Sequence, residues 1–502
     1  MNKNEVFEER KNRKTTNIQK QHSQGKLTAR ERLNLLFDSH SFTEIGSMVT
    51  SRCTNFGMET KHIDGDGVIT GFGRVNGRTV FAYAQDFTVL GGSLGEMQAN
   101  KICKILDMAC ETGCPVVGLN DSGGARIQEG IDSLAGYGRI FFRNTKASGR
   151  IPQITAIMGP SAGGAVYSPA LTDFIFMTEN AAKMFITGPS VIKAVTGEDV
   201  TADDLGGLRT HFTKSGVVHF EASDDEECIN RIKELLSYLP DNCMSRAETR
   251  PTDDFMFRKV PELNGILPES PNKPYDMKEV ISAIVDDGNF LEYQAGFACN
   301  VITCFAHIDG TSVGIIANQP KVMAACLDIN ASDKASRFVR TCDSFGIPLV
   351  TLVDVPGYLP GKAQEQGGII RHGAKLIYAY CEATVPKVTV ILRKAYGGAY
   401  LAMCSKELGA DITFAWPTAE IAVMGADGAA DIIFKNETVE GRQDRINEYK
   451  DEFMTPYKAA EHLLIDEVIS PENTRVNIAQ SLKMLEGKTK CFEGKRHGNI
   501  PL

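Results

Sequence analysis

The chain repeats itself at a very long period. Gly77 in VNGRTVFAYAQDF stands 233 residues before Gly310 in IDGTSVGIIANQP, and Asp121 in PVVGLNDSGGARIQEG stands 233 before Asp354 in PLVTLVDVPGYLPGKAQEQGG. Gly163 and Gly164 in IPQITAIMGPSAGGAVYSPALTDFIF stand 234 before Gly397 and Gly398 in VPKVTVILRKAYGGAYLAMCSKELGADITF. Such a period is too long for a solenoid repeat, so it marks two copies of one domain. Each copy ends strands on glycine-rich turns. Those turns present main-chain N–H groups, which leads us to expect two opposed cradles, one per half, for two acceptor groups.

At 502 residues each half is long enough to bury its own core. The net charge of −9, from 54 basic and 63 acidic residues, argues against general nucleic-acid binding. The opening MNKNEVFEERKNRK has no apolar stretch of a secretory signal, and no apolar run approaches the ~18 residues of a membrane span. The thirteen cysteines form no CxxC, which favours reduced thiols and a cytoplasmic protein over a disulfide framework or zinc.

Residues 1–36 read as a charged helical arm, with Thr28 and Glu31 forming a capping box. Residues 3–32 carry nine Lys/Arg against four Glu, a solvated face or a contact for an anionic ligand, with Arg10, Lys11, Arg13 and Lys14 as candidates. Periodicity predicts strands at 68–71, 79–83 and 115–119 and helices at 94–109 and 127–142. A Pro-rich, charged stretch over 240–275 breaks the pattern, which restarts after 276 with strands at 300–307, 312–317, 348–353 and 387–393 and helices at 331–345, 368–383 and 398–406. Strand–helix alternation predicts an α/β fold with parallel sheets. We expect an N-terminal domain over 1–250, a linker over 251–275 and a C-terminal domain over 276–502.

Asp121 to Arg126 follows a strand and is expected to open a helix, as is Gly159 to Ala165. Glycine lets the backbone approach a ligand closely, and a helix start supplies unpaired N–H groups. Two adjacent amides aimed at one oxygen form an oxyanion hole. Gly397, Gly398 and Ala399 offer the same in the second half. There is no GxxxxGK[ST] phosphate loop, no HExxH and no metal-spaced cluster of His, Asp and Glu. Gly159 to Gly163 satisfies the GxSxG of serine hydrolases, with His211, His219, His307, His372 and His497 downstream. The repeat partner of Ser161, however, is Ala395. The duplication keeps the donor pair and drops the hydroxyl, which disfavours a hydrolase or a hydratase that uses one half alone. A scaffold that binds its ligand without catalysis is the remaining alternative.

The motifs GKLTARERLNLLFD (25–38), RCTNFGM (52–58), AQDFTVLGGSLGE (84–96), NDSGGARIQEG (120–130), GPSAGGAVYSPALTDF (159–174), TGEDVTADDLGG (196–207), NKPYDMKEVI (272–281), DVPGYLPG (354–361), RHGAKLIYAY (371–380), RKAYGGAY (393–400), AWPTAEIAVMGADGAA (415–430) and HGNIPL (497–502) occur in one order. With them the chain resembles the carboxyltransferase subunit of biotin-dependent acyl-CoA carboxylases, of the propionyl-CoA carboxylase beta type. The resemblance implies a duplicated crotonase-like (ClpP/crotonase) ββα superhelix of two homologous domains, the first binding acyl-CoA and the second carboxybiotin, with the site at a dimer interface within a homohexamer. It implies that Gly163 and Gly164 hold the thioester oxygen, that Gly397, Gly398 and Ala399 bind biotin through its ureido oxygen, and that Gly123, Gly124 and Ala125 line the acyl-CoA pocket. Proton removal then falls to biotin rather than to a side chain. The reaction implied carries a carboxyl group from carboxybiotin to propionyl-CoA, giving methylmalonyl-CoA.

The chain has no Ala-Met-Lys-Met biotinylation site and no ATP site of its own. The resemblance therefore implies a separate biotin carboxyl carrier protein and biotin carboxylase. Leu401 follows Gly-Gly-Ala-Tyr where propionyl-selective members can carry Asp, and GGAYLAMCSKELGAD looks more like transcarboxylase and methylmalonyl-CoA decarboxylase subunits. The alternative is thus the decarboxylase alpha subunit running the transfer in reverse beside a membrane sodium pump, or a transcarboxylase subunit.

Overall fold

The computed structural model describes residues 18–60, 64–179, 181–434, 439–488 and 497–502; Arg10, Lys11, Arg13 and Lys14 lie outside them. The chain divides into two compact units, Met1–Arg246 and Ala247–Leu502. Residues 247–275 pack as part of the second unit: Arg250 N–H donates to Gly310 O (2.9 Å) and Val260 and Leu263 are buried in its core.

The first unit holds an eight-stranded sheet of β1 (Thr43–Glu44), β2 (Val68–Val75), β3 (Arg78–Gln85), β4 (Val116–Ser122), β5 (Gln153–Ala162), β6 (Phe174–Thr178), β7 (Lys183–Phe185) and β8 (Phe220–Ala222). The second holds β9 (Phe290–Tyr293), β10 (Val301–Ile308), β11 (Thr311–Asn318), β12 (Leu349–Val355), β13 (Lys387–Tyr396), β14 (Ile412–Ala415), β15 (Glu420–Ala422) and β16 (Glu467–Val468). Their spatial orders correspond, β1-β2-β3-β4-β5-β6-β8 with β7 on β5, and β9-β10-β11-β12-β13-β14-β16 with β15 on β13. Each begins with an antiparallel hairpin and continues parallel. β4 and β12 are buried along their whole length, as strands covered on both faces must be.

The glycines that aligned first in the sequence close those hairpins. Asn76-Gly77 and Asp309-Gly310 all have positive φ, the requirement of a two-residue hairpin turn. In each unit one carboxylate takes both turn amides, Asp38 those of Asn76 and Gly77, Asp286 those of Asp309 and Gly310. A buried lysine recurs too. Lys101, in the helix Glu96–Thr112, donates to Gly65 O (2.9 Å) and Val68 O (2.5 Å). Lys334, in Ile329–Ser344, donates to Gln294 O (3.0 Å), Phe297 O (2.8 Å) and Val301 O (2.7 Å). Burial pulls both ammonium groups down to about 8.

One expected helix starts later and ends later, at Ile131–Ala147 rather than 127–142. The stretch after Asp121 opens no helix directly. A 3₁₀ turn spans Ile127–Glu129, and the α-helix runs Ile131–Ala147. Residues 124–126 instead pair with Leu94, whose N–H donates to Gly124 O (2.8 Å) and whose carbonyl accepts from Arg126 N–H (2.9 Å). Arg126 is locked by Asp66 (2.6 Å) and Glu129 (2.7 Å). The first turn of each unit is therefore a strand-like ledge; only the second opens a helix. Among the described residues no helix is long and apolar enough to cross a membrane.

Candidate active site

Both units break register at the same place. β4 slips against β5 between Asn120 and Ser122, and β12 against β13 between Val353 and Val355. After each slip the longer strand runs into glycine, at Gly163 (φ 59) and Gly397 (φ 57). The helices Gly164–Ala170 and Gly397–Ala402 start there, so the amides of Gly164 and Ala165, and of Gly398 and Ala399, have no acceptor within their helices. Gly163 differs from its neighbour: its N–H donates to Phe185 O (3.2 Å), an acceptor that β7 supplies.

The first turn is arranged similarly. The N–H of Gly123 donates to Gly91 O (2.9 Å) and that of Gly124 to Ser122 Oγ (3.3 Å). Ala125 is the residue bridged to Leu94, and since Leu94 bonds to Gly124 and Arg126, the N–H of Ala125 faces away from that pairing. A Cβ on Gly124 would lie 2.9 Å from Ala162 O, so this turn lies against the strand that leads to Gly163. In the second unit Leu327 N–H donates to Gly357 O (3.0 Å) and Leu359 N–H to Leu327 O (2.7 Å), leaving Tyr358 in the place of Ala125. The turn residues 123–125 and the pair 163–164 thus meet in one unit, and 397–399 form their counterpart in the other.

Space differs between the two pairs. A Cβ on Gly164 would press on the Tyr137 ring at 2.7 Å, whereas one on Gly398 meets nothing within 4 Å. Leu401 is 40% exposed and its repeat partner Tyr167 is 47% exposed, both one turn beyond the glycines. Ile186 and Val423, whose carbonyls lie nearest the Cβ positions of Gly163 and Gly397, are exposed apolar residues at matching rims.

Sequence reasoning missed the charges beneath the turns. Asp121 is fully buried and paired with Lys26 (2.9 Å) and Arg32 (3.1 Å). Arg32 also holds Asp225 (2.7 Å); burial opposes its charge, but Asp225 and Asp121 outweigh this and raise its affinity for the proton. Asp354 is paired with Arg393 (2.9 Å); burial raises its carboxyl above the usual range against the pull of Arg393. Arg393 lies over the Tyr275 ring (5.0 Å). Burial also raises the hydroxyl of Tyr396, which hydrogen-bonds Glu420 just before Gly397. The arm's cations were legible as a charge run, but their buried acceptors, ~90 residues or more away, were not.

The hydrolase reading finds no support in the geometry. Ser161 is fully buried, and its hydroxyl has no hydrogen-bond partner among the described residues. His211 is held by Ser215 and Met184 O, His219 accepts from Ile175 N–H, and His372 pairs with Asp333 (2.8 Å).

Comparison with known proteins agrees with the duplicated architecture. Residues 20–500 match the carboxyl transferase domain. The alpha subunit of methylmalonyl-CoA decarboxylase from Veillonella parvula is 61% identical over 485 residues, 97% of this chain and 95% of that protein. The propionyl-CoA carboxylase beta chain of Saccharopolyspora erythraea is 55% identical over 503 residues, 97% of this chain and 92% of that one. A crystal structure of transcarboxylase 12S, described as a hexamer with methylmalonyl-coenzyme A and methylmalonic acid bound, superposes with a TM-score of 0.95 at 57% identity, covering 97% and 95% of the two chains. With a family match across nearly its whole length, a shared fold and twin glycine turns in register, this chain belongs to the carboxyl transferase family.

Proposed function

We propose that the chain is the carboxyltransferase component of a biotin-dependent enzyme, moving a carboxyl group between biotin on a separate carrier protein and a short-chain acyl-CoA, the pair propionyl-CoA and methylmalonyl-CoA. The observation that carries this is the recurrence of one amide pair, Gly164 with Ala165 and Gly398 with Ala399, at equivalent points of two units of one strand order. In the first unit these amides hold the thioester oxygen as it gains enolate charge, aimed where charge develops rather than at the resting carbonyl. Gly163 shapes this cradle by its positive φ, its own N–H being held by Phe185 O. Gly123, Gly124 and Ala125 line the acyl-CoA side.

In the second unit Gly398 and Ala399, reached over the bare Gly397, take the ureido oxygen of biotin. The empty space at the Gly398 Cβ position fits a ligand that comes to the backbone. Biotin, when bound, supplies or receives the carboxyl group. Leu401, 40% exposed one turn beyond Gly398, is the residue that bears on acyl-chain preference. The exposed apolar residues Ile131, Leu134 and Phe142 support assembly into a hexamer, and the free thiols of the described residues fit a cytoplasmic place.

The net direction has two readings. Carboxylation of propionyl-CoA needs a biotin carboxylase partner. Decarboxylation of methylmalonyl-CoA beside a membrane pump is favoured by Leu401 and by 61% identity to a decarboxylase alpha subunit. Purified chain with free biotin is expected to decarboxylate methylmalonyl-CoA slowly. Absence of turnover with malonyl-, methylmalonyl- and glutaconyl-CoA alike would overturn the function. Addition of purified biotin carboxylase and carrier, against pump subunits in vesicles, then separates the two directions.

A further inference from the structure

The two units keep the same buried carboxylate under the same turn but neutralise it from different places. Asp121 and Asp354 each sit where the register slips, and they are 0% and 2% exposed. In the second unit the adjoining strand answers the charge. Arg393 Nε donates to Asp354 Oδ2 (2.9 Å), and Lys394 N–H to Oδ1 (3.1 Å). The equivalent positions in the first unit, 234 residues earlier, are Gly159 and Pro160. Glycine brings no cation and proline no N–H. Nor is there room for a side chain, because a Cβ on Gly159 would fall 1.9 Å from Asp121 Oδ1.

Among the described residues the missing donors come from the N-terminal segment. Gln21 Nε2 reaches Asp121 Oδ2 (3.1 Å), Lys26 Nζ reaches Oδ1 (3.0 Å) and Oδ2 (2.9 Å), and Arg32 Nη1 reaches Oδ2 (3.1 Å). Lys26 is 3% exposed, with its ammonium 4.2 Å from the centre of the Phe87 ring. Arg32 runs on to Met158 O (2.9 Å), on the strand that ends at Gly163. Asp121 itself leads into Ser122, Gly123, Gly124 and Ala125. Stripped of its cations, a carboxylate this deep must take a proton or draw in water, and either disturbs the backbone that carries it.

We infer that residues 21–32 form a clip whose charge holds the glycine turn of the acyl-CoA unit in place, and that Lys26 is a positioning residue for the acyl side of the transfer alone. The biotin unit needs no such clip because Arg393 and Lys394 are built into its sheet. The acyl and biotin labels rest on the function proposed above; the clip itself does not.

The test is Lys26→Met in the full-length chain, with two readouts. In free-biotin decarboxylation the KM for methylmalonyl-CoA is expected to rise about tenfold or more, the size of loss a slight misplacement brings, while that for biotin changes less than about twofold. Hydrogen exchange is expected to quicken in peptides covering 122–126 and to stay unchanged over 355–359. Removing the carboxylate as well, in Lys26→Met with Asp121→Asn, should recover much of both effects, and Lys26→Arg should keep wild-type behaviour. Arg393→Met should disturb 355–359 and leave 122–126 alone. Equal acceleration in both turns, or a double variant no better than the single, overturns the clip. If exchange behaves as expected but the KM for biotin is the one that rises, the clip stands and the assignment of the units falls. Should Lys26→Met not accumulate, Gln21→Leu, which removes one neutral donor, is judged by the same criteria.

Discussion

A methyl group added at Gly164 and one added at Gly398 meet opposite surroundings, although the two glycines are repeats of each other. The first presses on Tyr137 at 2.7 Å and the second on nothing within 4 Å. Gly164→Ala is therefore expected to cost about 1–3 kcal/mol of stability by overpacking, whereas Gly398→Val should melt as the wild type does. Gly398→Val should still bind acyl-CoA yet lose transfer by at least about a hundredfold, the scale of a lost oxyanion donor. Thermal melts beside single-turnover assays separate the two effects; a destabilised Gly398→Val would contradict the open space above it. The sequence made these glycines conspicuous by repeating them. It did not show that the N–H of Gly163 already belongs to Phe185 O, because the short strand β7 that supplies that acceptor has no periodic signature.

Apolar runs bounded by turn residues were legible in the chain: β2, β3, β10, β11 and β12 lie within a few residues of their expected places. The helix expected from 127 starts only at Ile131, since the backbone of 124–126 pairs with Leu94, a partner some 30 residues away that local patterning cannot reveal. The helices that begin each unit's crossover carry Lys101 and Lys334 into cages of carbonyl oxygens. Their ammonium groups titrate at about 8 in the fold against 10.5 in the open chain. Below pH 8 both states hold the proton and stability does not change on this account. Between pH 8 and 10.5 the unfolded chain binds more protons than the folded one, so stability rises with pH. Each lysine contributes at most ~3 kcal/mol across that window, less whatever the carbonyls return to the ammonium. Urea unfolding of Lys334→Met at pH 7.5 and pH 10 should show a less positive change on alkalinisation than the wild type. An identical change in both proteins would mean that Lys334 titrates normally.

At the scale of the molecule, the duplication read from three glycine stretches reappears as two sheets of one strand order, each with its own hairpin clamp, register slip and glycine turn. Unreadable at that scale was the different origin of the counter-ions, whose pairs lie 89 and 95 residues apart on Asp121 but 39 apart between Arg393 and Asp354. The helix Ile131–Ala147 leaves Ile131 73%, Leu134 60% and Phe142 60% exposed, a run of apolar surface that a lone soluble chain rarely carries. In the hexamer proposed above, Ile131→Asp with Leu134→Asp is expected to reduce the sedimenting mass toward a single chain and to abolish turnover; an unchanged mass would place the contacts elsewhere. The caged lysines have a further consequence for a protein that works among thioesters. Acyl-CoA slowly acylates uncharged amines, and burial makes these two the easier to deprotonate. The same burial leaves Lys101 and Lys334 only 5% and 1% exposed, so a thioester cannot reach the amines whose proton it has loosened.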